Sequence, residues 1–466
     1  MHLDDTIVAI ATPQGRGGIG IVRIAGPAAV EIALQMLRLK HRLVPGQAMF
    51  GDLVQPGGEQ APVAERLDEV VVTYFAKPHS YTTDDIVEIS AHGSPVVLNY
   101  IVETCLVRGA RLAQPGEFTS RAFLNGRIDL TQAEAVRDLI ESQTLYQAKV
   151  AAQQLGGAFS HRIYPVKKIL VELIANLEAG IDFAEDDLSV MQSPQILEQI
   201  EAVRVPLTRL AASFSYGRLV HQGLILAIVG KPNVGKSSLF NRLVERERAI
   251  VTATPGTTRD LVSETVAIGG IPVRLMDTAG IRHALDEAES IGVRKSMEAL
   301  ADADLVLLVV DASQLESDED AELLSRLEGR RAIVVGNKAD LIEAPGRTKW
   351  EHKNDAIASN GQKPLLTSAL SGDGIHELRA AILAEFAGGI SSQGETGLIT
   401  SLRHQNLVTT ALTALDAAHS AVRNNIPHEM ILLDLYNSLH ALDEITGATT
   451  TEDILNLIFS TFCIGK

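Results

Sequence analysis

The stretch Leu224–Ser237, LILAIVGKPNVGKS, decides the fold of the central part of this 466-residue chain. It opens with an apolar run that is typical of a buried strand. Its second part, Gly230–Ser237, fits the pattern G-x-x-x-x-G-K-[ST], and the helix-like SLFNRLV follows directly. A glycine loop between a strand and a helix presents backbone N–H groups to phosphate oxygens. The stretch therefore predicts a phosphate-binding loop in which Lys236 reaches the β- and γ-phosphates and Ser237 binds Mg²⁺.

Further apolar runs after this loop predict a mostly parallel sheet. The runs VRLMD, LVLLVV, AIVVGN and PLLTSA alternate with helical segments, which indicates βαβ units. Gly223 marks the start of this block and the Gly/Ser-rich GGISSQGETG its end. On either side, apolar residues recur at helical spacing, from Val166 to Ile181 and from Leu407 to Leu442. We therefore expect an α/β domain inserted into a discontinuous helical domain.

A smaller α/β domain is predicted at the start of the chain. The short β-like runs Val70–Tyr74 and Ile86–Ser90 accompany a helical stretch after Pro95. The fold class is thus multidomain α/β plus α, with a P-loop domain between two helical halves. The predicted division is 1–125 (N-terminal α/β domain), 126–222 (first helical half), 223–386 (P-loop domain) and 387–466 (second helical half).

The composition excludes several classes of protein. With 46% hydrophobic and 21% charged residues, it is that of an ordinary globular protein. No apolar run approaches the roughly 18 residues of a membrane span, and the start MHLDDTIVAI lacks the basic region of a secretory signal. Two cysteines exclude a disulfide framework and favour a cytoplasmic location. The net charge of −17, with no basic segment, disfavours an autonomous nucleic-acid binder.

Four short motifs after the phosphate loop predict the nucleotide. GTTRD (Gly256–Asp260) offers threonine hydroxyls, of which Thr258 is the expected second Mg²⁺ ligand. DTAG (Asp277–Gly280) places a carboxylate toward the metal and a backbone N–H toward the γ-phosphate. NKAD (Asn337–Asp340) and SAL (Ser368–Leu370) each follow a strand.

The last two motifs favour guanine over adenine. The Asp340 carboxylate can accept hydrogen bonds from guanine N1–H and the 2-amino group, and the Ala369 N–H suits guanine O6. Adenine would leave the carboxylate unpaired, which is costly. The ligand is therefore predicted to be GTP. The residues expected to contact it are Asn233, Val234, Gly235, Lys236, Ser237, Ser238, Thr252, Ala253, Thr254, Pro255, Gly256, Thr257, Thr258, Asp277, Thr278, Ala279, Gly280, Asn337, Lys338, Asp340, Ser368, Ala369 and Leu370.

Motifs at both ends of the chain carry a resemblance to a known family. ATPQGRGGIGIVRIAG (Ala11–Gly26), PGEFTSRAFLNGRIDLTQAEAV (Pro115–Val136) and the terminal FCIGK (Phe462–Lys466), together with the inserted GTPase, resemble the MnmE (TrmE) family of bacterial tRNA-modification GTPases. The resemblance spans essentially the whole chain. It implies that the chain, with the FAD-binding flavoprotein partner MnmG, helps to install a carboxymethylaminomethyl-type group on C5 of the tRNA wobble uridine.

The same resemblance implies an assembly and a second ligand. It implies a homodimer through the N-terminal domains, a heterotetramer with the partner, and tRNA held largely by the partner. It also implies a site for a 5-formyl-tetrahydrofolate-type one-carbon folate, with contacts at Arg23, Glu88, Arg127 and Lys466. Arg127 stands where relatives can have lysine, which keeps the charge but changes the geometry.

The mechanism of GTP hydrolysis is predicted to differ from that of many small GTPases, which have a water-orienting glutamine directly after DTAG. Here that position is Ile281, an aliphatic residue that cannot hold the nucleophile. The loop after it offers Asp286, Glu287 and Glu289, and the resemblance implies that Glu289 acts as the catalytic residue through a bridging water.

The resemblance also implies that K⁺ takes part in GTP hydrolysis, which is a second difference from many small GTPases. Asn233 would bind K⁺ together with oxygen atoms of Thr252, Thr254 and Thr257. A K⁺ beside the β/γ-bridging oxygen supplies positive charge where an arginine finger otherwise acts.

Several competing interpretations follow from the same residues. GRGGIG (Gly15–Gly20) matches G-x-G-x-x-G, but a strand-like segment follows instead of a helix, so a dinucleotide site is rejected. Cys105 is predicted in the core, and Cys463 is predicted to pack in a terminal helix without a chemical role. A ribosome-assembly GTPase would share the nucleotide motifs, and a GTP-gated scaffold would leave all tRNA chemistry to its partner.

Overall fold

The computed structural model divides the chain into two compact units. The first consists of Met1–Arg137 and Asp443–Lys466, and the second of Asp138–Leu442. The structure describes residues 4–55, 65–182, 191–245, 263–277, 303–314, 320, 323–325, 327, 329–343, 350, 364–387, 397–448, 455, 458–463 and 465. Within these ranges, none of the helices combines the length and apolar character that crossing a membrane requires.

The first unit is built on a mostly antiparallel sheet. Its described strands are β1 (Ile7–Ile10), β2 (Gly17–Ala25), β3 (Leu37–Leu39), β4 (Ala48–Gln55), β5 (Glu65–Phe75), β6 (Ile86–Gly93) and β7 (Arg111–Leu112). They lie in the order β3-β4-β5-β6-β2-β1-β7, and β1 pairs with β7 in parallel. The strands predicted at Val70–Tyr74 and Ile86–Ser90 are confirmed by β5 and β6. The register of β2 against β6 sets Arg23 opposite Glu88.

Helices cover this sheet and close its core. They are α1 (Ala29–Leu34), α2 (Pro95–Val107) and α3 (Glu117–Leu124), and α4 (Leu130–Glu141) follows and packs against Phe459 and Phe462. Helix α2 begins at Pro95, where the fixed φ of proline suits a first helical turn. Its residues Ile101 and Cys105 are fully buried with Val22 and Val72 of the sheet. The prediction that Cys105 is a core residue is confirmed, and burial raises the pKa of its thiol to about 12.

The segment PGEFTSR (residues 115–121) contributes two buried charged side chains to a network of ion pairs. Glu117 and Arg121 of α3 are both completely buried and pair over 2.9 Å. Arg111 donates to Glu117 over 2.6 Å, and Asp5 pairs with both arginines. Burial by itself would raise the pKa of Glu117, but hydrogen bonds from Arg111, the Gln114 backbone N–H and Arg121 outweigh it, so this pKa lies below its usual value. Since buried charges are tolerated only when paired, this network is structural.

The last described residues correct one prediction. Phe459 and Phe462 are buried with Leu130 and Ala133, as a packed terminal segment requires. Cys463, however, is exposed, so the prediction that it packs against the core is wrong. The helical conformation described at residues 458–460 has ended before this residue, and helical spacing therefore no longer determines which way its side chain points.

The second unit contains the helical segments on both sides of the P-loop block. The described helices are α5 (Leu145–Leu155), α6 (Ala158–Asp182), α7 (Ser193–Ala212), α8 (Phe214–Gln222), α9 (Lys236–Val244), α10 (Ile375–Ala387), α11 (Leu402–Arg423) and α12 (His428–Thr446). Helices from before and after the block contact each other. Arg204 of α7 lies 3.5 Å from Asp416 of α11, and the Tyr436 hydroxyl of α12 donates to Glu178 of α6 over 2.5 Å.

A second sheet forms the P-loop block itself. Its described strands are β8 (Leu224–Val229), β9 (Ser263–Ile268), β10 (Ile271–Asp277), β11 (Leu305–Asp311), β12 (Ala332–Asn337) and β13 (Leu365–Leu366), in the order β13-β12-β11-β8-β10-β9. All pairs are parallel except β9 with β10. The predicted strands are confirmed by β8, β10, β11, β12 and β13, whereas the mixed polar and apolar run of β9 was not recognised. The fold is an α/β block inserted between helices.

The tight turn between β9 and β10 contacts the helices that precede the block. Gly269 and Gly270 adopt φ values of +58° and +84°, which a two-residue hairpin turn of this kind requires. The Thr144 hydroxyl donates to the Gly270 carbonyl over 2.6 Å. The Tyr146 side chain packs directly on Gly270, and its hydroxyl lies 3.3 Å from that of Tyr216.

Candidate functional site

The predicted phosphate loop lies between the end of β8 and the start of α9. Gly230, Asn233 and Gly235 have φ values of +150°, +63° and +94°, so the backbone turns sharply at three places. Val234 is buried and anchors the loop, while the side chains of Asn233 and Ser237 are exposed. Helix α9 begins at Lys236, so its free N–H groups open toward the loop. This geometry suits an anionic phosphate group.

Two lysines of the loop have defined partners. Lys236 is buried, and its Nζ donates to the Lys231 carbonyl over 2.6 Å, across the loop. Lys231 in turn forms an ion pair with Asp320 over 2.7 Å. Sequence reasoning missed Asp320, because its position about 90 residues from the loop has no motif around it.

Asn337 joins the phosphate loop to the loop that is expected to read the base. It ends β12 and is buried. Its Nδ2 donates to the Val234 carbonyl over 2.9 Å, and its Oδ1 accepts from the Ala369 N–H over 3.0 Å. A side chain at Gly235 would collide with Asn337 Nδ2, so the two loops meet closely here. The structure thus brings NKAD, SAL and the phosphate loop together.

The other residues of the NKAD and SAL motifs also have specific partners. Asp340 is exposed, and its Oδ1 accepts from the Ser368 hydroxyl over 2.5 Å. Lys338 adopts φ +67° and donates to Asp311 over 2.7 Å. Burial raises the pKa of Asp311, but the hydrogen bonds from Lys338 and Ser313 outweigh this effect, and the pKa lies below its usual value. Asp311 is therefore an ionised carboxylate that holds Lys338 through an ion pair. The sequence motif did not reveal this partner of Lys338.

In the first unit, three of the four predicted folate contacts lie in one cluster. Arg23 Nε donates to Glu88 over 2.8 Å, and its Nη1 lies 3.4 Å from the Gly465 carbonyl next to the chain end. The guanidinium groups of Arg23 and Arg127 lie 5.7 and 5.0 Å from the centre of the Tyr81 ring. Tyr81 was missed by sequence reasoning, because it lies in a connecting segment without any motif.

Several predicted residues lie outside the described part of the chain. They are Thr252, Ala253, Thr254, Pro255, Gly256, Thr257, Thr258, Thr278, Ala279, Gly280, Ile281, Asp286, Glu287, Glu289 and Lys466. Of Asp277 the structure gives the backbone, at the end of β10 and beside β8. The parallel sheet thus places this residue at the same edge as the phosphate loop.

The architecture, with the phosphate loop joined to the NKAD and SAL motifs, is that of a P-loop GTPase. Two family models match the chain: "MnmE helical domain" over residues 130–463 and "GTP-binding protein TrmE N-terminus" over residues 6–127. The chain belongs to the MnmE family of tRNA modification GTPases.

Full-length relatives carry the same family name. The tRNA modification GTPase MnmE of Koribacter versatilis (strain Ellin345) is 62% identical, with 100% of each chain covered. That of Aquifex aeolicus (strain VF5) is 43% identical and covers 99% of this chain and 100% of its own.

Among solved structures, Era from Aquifex aeolicus bound to GDP·AlF4⁻ is 27% identical over 41% of this chain and 66% of its own, with a TM-score of 0.30. The G domain of the Thermotoga maritima iron transporter FeoB is 25% identical over 35% and 98%, with a TM-score of 0.26.

Proposed function

We propose that this GTPase is activated by K⁺ and acts with an FAD-binding, MnmG-like partner to add a carboxymethylaminomethyl-type group to C5 of the wobble uridine of certain tRNAs. The observation that carries the nucleotide part is the position of Asn337, which bonds both to the phosphate loop and to the SAL loop. Relatedness over the full chain, including both termini, supports tRNA modification over ribosome assembly.

The nucleotide would be held at two ends of this site. Loop N–H groups and Lys236 bind the β- and γ-phosphates, and Ser237 and Thr258 hydroxyls hold Mg²⁺. Asp340 and the Ala369 N–H bind the guanine edge. In the described structure that N–H is bonded to Asn337, so guanine O6 must compete for it or share it.

Potassium fits the donor set that the chain offers. Asn233 is exposed at a sharply turned position of the phosphate loop, and its amide oxygen is a hard ligand of the kind that alkali and alkaline-earth cations take. Hydroxyl or backbone oxygens of Thr252, Thr254 and Thr257 would complete the site. A cation held there would supply positive charge for the leaving oxygen, and Glu289 would orient the water, because Ile281 cannot.

The arginine cluster of the first unit fits a one-carbon folate. Folates carry carboxylates, for which guanidinium groups are well shaped, and an aromatic pterin that can stack on a ring such as Tyr81. The residues proposed to bind it are Arg23, Glu88, Arg127 and Lys466. A bound folate supplies the one-carbon unit. Arg23 is held by Glu88 and by the Gly465 carbonyl, so the chain end takes part in building this site.

The proposed assembly is a homodimer through the N-terminal domains, joined by the flavoprotein in a heterotetramer. The tRNA would be held largely by the partner, since the net charge of −17 disfavours phosphate binding by this chain. The cytoplasm, where translation uses these tRNAs, is the proposed location. Domain limits of 1–125, 126–222, 223–386 and 387–466 form part of this proposal.

Hydrolysis would be coupled to conformation through the β9–β10 hairpin. Its strands lead from the GTTRD motif and into the DTAG motif, and its turn is bonded to Thr144 at the start of α5. A change at the γ-phosphate can therefore move the hairpin against the helices. The bond between Thr144 and the hairpin turn thus connects the nucleotide site with the helices that precede the P-loop block.

Steady-state GTP turnover tests the catalytic part. At equal ionic strength, turnover should be substantially faster in K⁺ than in Na⁺, and Asn233→Ala should remove that preference. Glu289→Ala should lower kcat by about 10²-fold or more with little change in GTP affinity, as expected for a group that acts in the transition state. Equal rates in both salts would remove K⁺ from the mechanism, and normal turnover of Glu289→Ala would move the water-orienting role to Asp286 or Glu287.

A further inference from the structure

Arg242 connects the helix that starts at the phosphate loop to the loop that is expected to read guanine. It lies in the last turn of α9. Its Nη2 donates to the Leu370 carbonyl over 2.7 Å, and its Nη1 donates to Glu245 over 3.0 Å. Leu370 directly follows Ala369, whose N–H is proposed to bind guanine O6. None of the nucleotide motifs includes Arg242.

The loop 368–373 is closed by hydrogen bonds of its own. The Ser368 N–H donates to the Asp373 carbonyl over 2.9 Å, and the Gly372 N–H donates to the Ser368 carbonyl over 2.8 Å. The Ser371 N–H donates to the Ser368 hydroxyl over 3.1 Å. These bonds shape the turn, but they do not attach its tip, residues 369 and 370, to the rest of the domain.

Two hydrogen bonds attach that tip to other described parts of the domain: the bond from the Ala369 N–H to Asn337 and the bond from Arg242 to the Leu370 carbonyl. Guanine would compete for the first of them. The Leu370 side chain is 82% exposed, so packing does little to hold this residue. A hydrogen bond from a charged donor is about twice as strong as a neutral one. The half-buried Ala369 side chain packs against the core of the domain, and beside this packing Arg242 is the hydrogen bond that still holds the tip while the base is bound.

We propose that Arg242 is a positioning residue for guanine recognition, which holds the Leu370 carbonyl and thereby keeps the Ala369 N–H directed at guanine O6. The inference rests on the proposed base site and adds a specificity determinant to it. Arg242 acts through the loop and touches neither the base nor the phosphates. Its loss should therefore weaken the contact at O6 selectively, and a general loosening of the domain would not do this.

Binding titrations of the full chain with three diphosphates measure that selectivity. GDP is compared with inosine diphosphate, which lacks the 2-amino group, and with the diphosphate of 2-aminopurine riboside, which lacks O6 and N1–H. In Arg242→Ala, the affinities for GDP and inosine diphosphate should both fall about tenfold, whereas that for the 2-aminopurine diphosphate changes little. The preference for GDP over the 2-aminopurine nucleotide then falls about tenfold, and the preference over inosine diphosphate stays constant.

Arg379→Ala is the matched control. Arg379 Nη2 donates to the Leu243 carbonyl of α9 over 3.0 Å, a bond of the same chemical type at the same helix. This variant should leave both preferences unchanged. Arg242→Lys keeps a charged donor and should restore part of the lost preference. Thermal unfolding of each variant shows that it is folded.

The outcomes separate the inference from the base site on which it rests. If Arg242→Ala weakens all three nucleotides by the same factor, or none of them, Arg242 has no positioning role and the inference is wrong. If the unaltered chain binds GDP and the 2-aminopurine diphosphate equally well, the base site itself is misassigned, and the role of Arg242 is refuted with it.

Discussion

Replacing Asp340 by asparagine tests the proposed guanine contact. The Ser368 hydroxyl donates to Asp340 Oδ1 over 2.5 Å, and an asparagine keeps this bond when its Oδ1 takes the same place. Its Nδ2 group then stands where the second carboxylate oxygen would accept from guanine. Guanine presents N1–H and a 2-amino group there, so donor faces donor and the hydrogen bonds are lost.

The size of the loss follows from the kind of bond removed. A hydrogen bond to a charged partner contributes about 1.5–3 kcal/mol. Asp340 is exposed before a nucleotide binds, so water offsets part of the gain from two such bonds. We expect a loss of about 2–4 kcal/mol, or roughly 30- to 900-fold in Kd for GDP. Xanthine has a carbonyl oxygen in place of the 2-amino group and accepts from Nδ2, so the variant should prefer xanthosine diphosphate.

Isothermal titration with both diphosphates measures this exchange of preference. Ser368→Ala serves as the control, because it removes the hydroxyl that orients residue 340 without changing the donor pattern at the base. It should weaken both nucleotides and leave the preference for guanine. Unchanged GDP affinity in Asp340→Asn would refute the assignment of this carboxylate to the base.

Three further predictions concern stability, coupling and the chain end. Glu117→Gln should lower the free energy of unfolding by about 3 kcal/mol at neutral pH, because buried Arg121 and its neighbour Arg111 lose the charge of Glu117 and keep only that of Asp5. The folded-state pKa of Glu117 is lowered, so the difference in unfolding free energy between the variant and the unaltered chain is full above the ordinary value of 4.5. It should vanish as the pH falls through the folded-state pKa, which urea titrations at a series of pH values measure. An equal difference at acid pH would contradict the ion pair. Thr144→Val should keep GTP turnover but reduce tRNA modification with the partner, whereas Thr144→Ser, which keeps the hydroxyl, should not; equal modification by both variants would remove the hairpin contact from the coupling. Deleting Cys463–Lys466 should weaken folate binding in a direct titration and leave GDP affinity intact, while Cys463→Ser alone should leave both unchanged; loss of folate binding in the single variant would give the exposed thiol a role.

The features that sequence patterns predicted correctly are local in the chain. The strand, glycine loop and helix from Leu224 onward follow each other without a gap, so their order alone indicates a phosphate loop. Cys105 lies at helical spacing from Val97 and Ile101, and its burial follows from that spacing. Cys463 was predicted wrongly because helical spacing was extended past the point where the helix has ended.

The features that could not be predicted depend on contacts between distant segments. Arg242 meets Leu370 across 128 residues, and Arg23 meets Gly465 across 442. The register of β2 against β6 sets Arg23 beside Glu88, and no spacing rule in a single sequence specifies this register. Tyr81 reaches the same cluster from a connecting segment, where neither composition nor periodicity marks it.

The most direct test of the central claim is the mass of the wobble-uridine nucleosides in tRNA from cells depleted of this protein and complemented with chosen variants. Cells complemented with the unaltered chain should contain the carboxymethylaminomethyl-type nucleoside. Cells left depleted, or complemented with Lys236→Ala, should accumulate the wobble uridine without this group, because the lysine that bridges the phosphate loop is needed for GTP use. Normal levels of the modified nucleoside in depleted cells would contradict the proposed function.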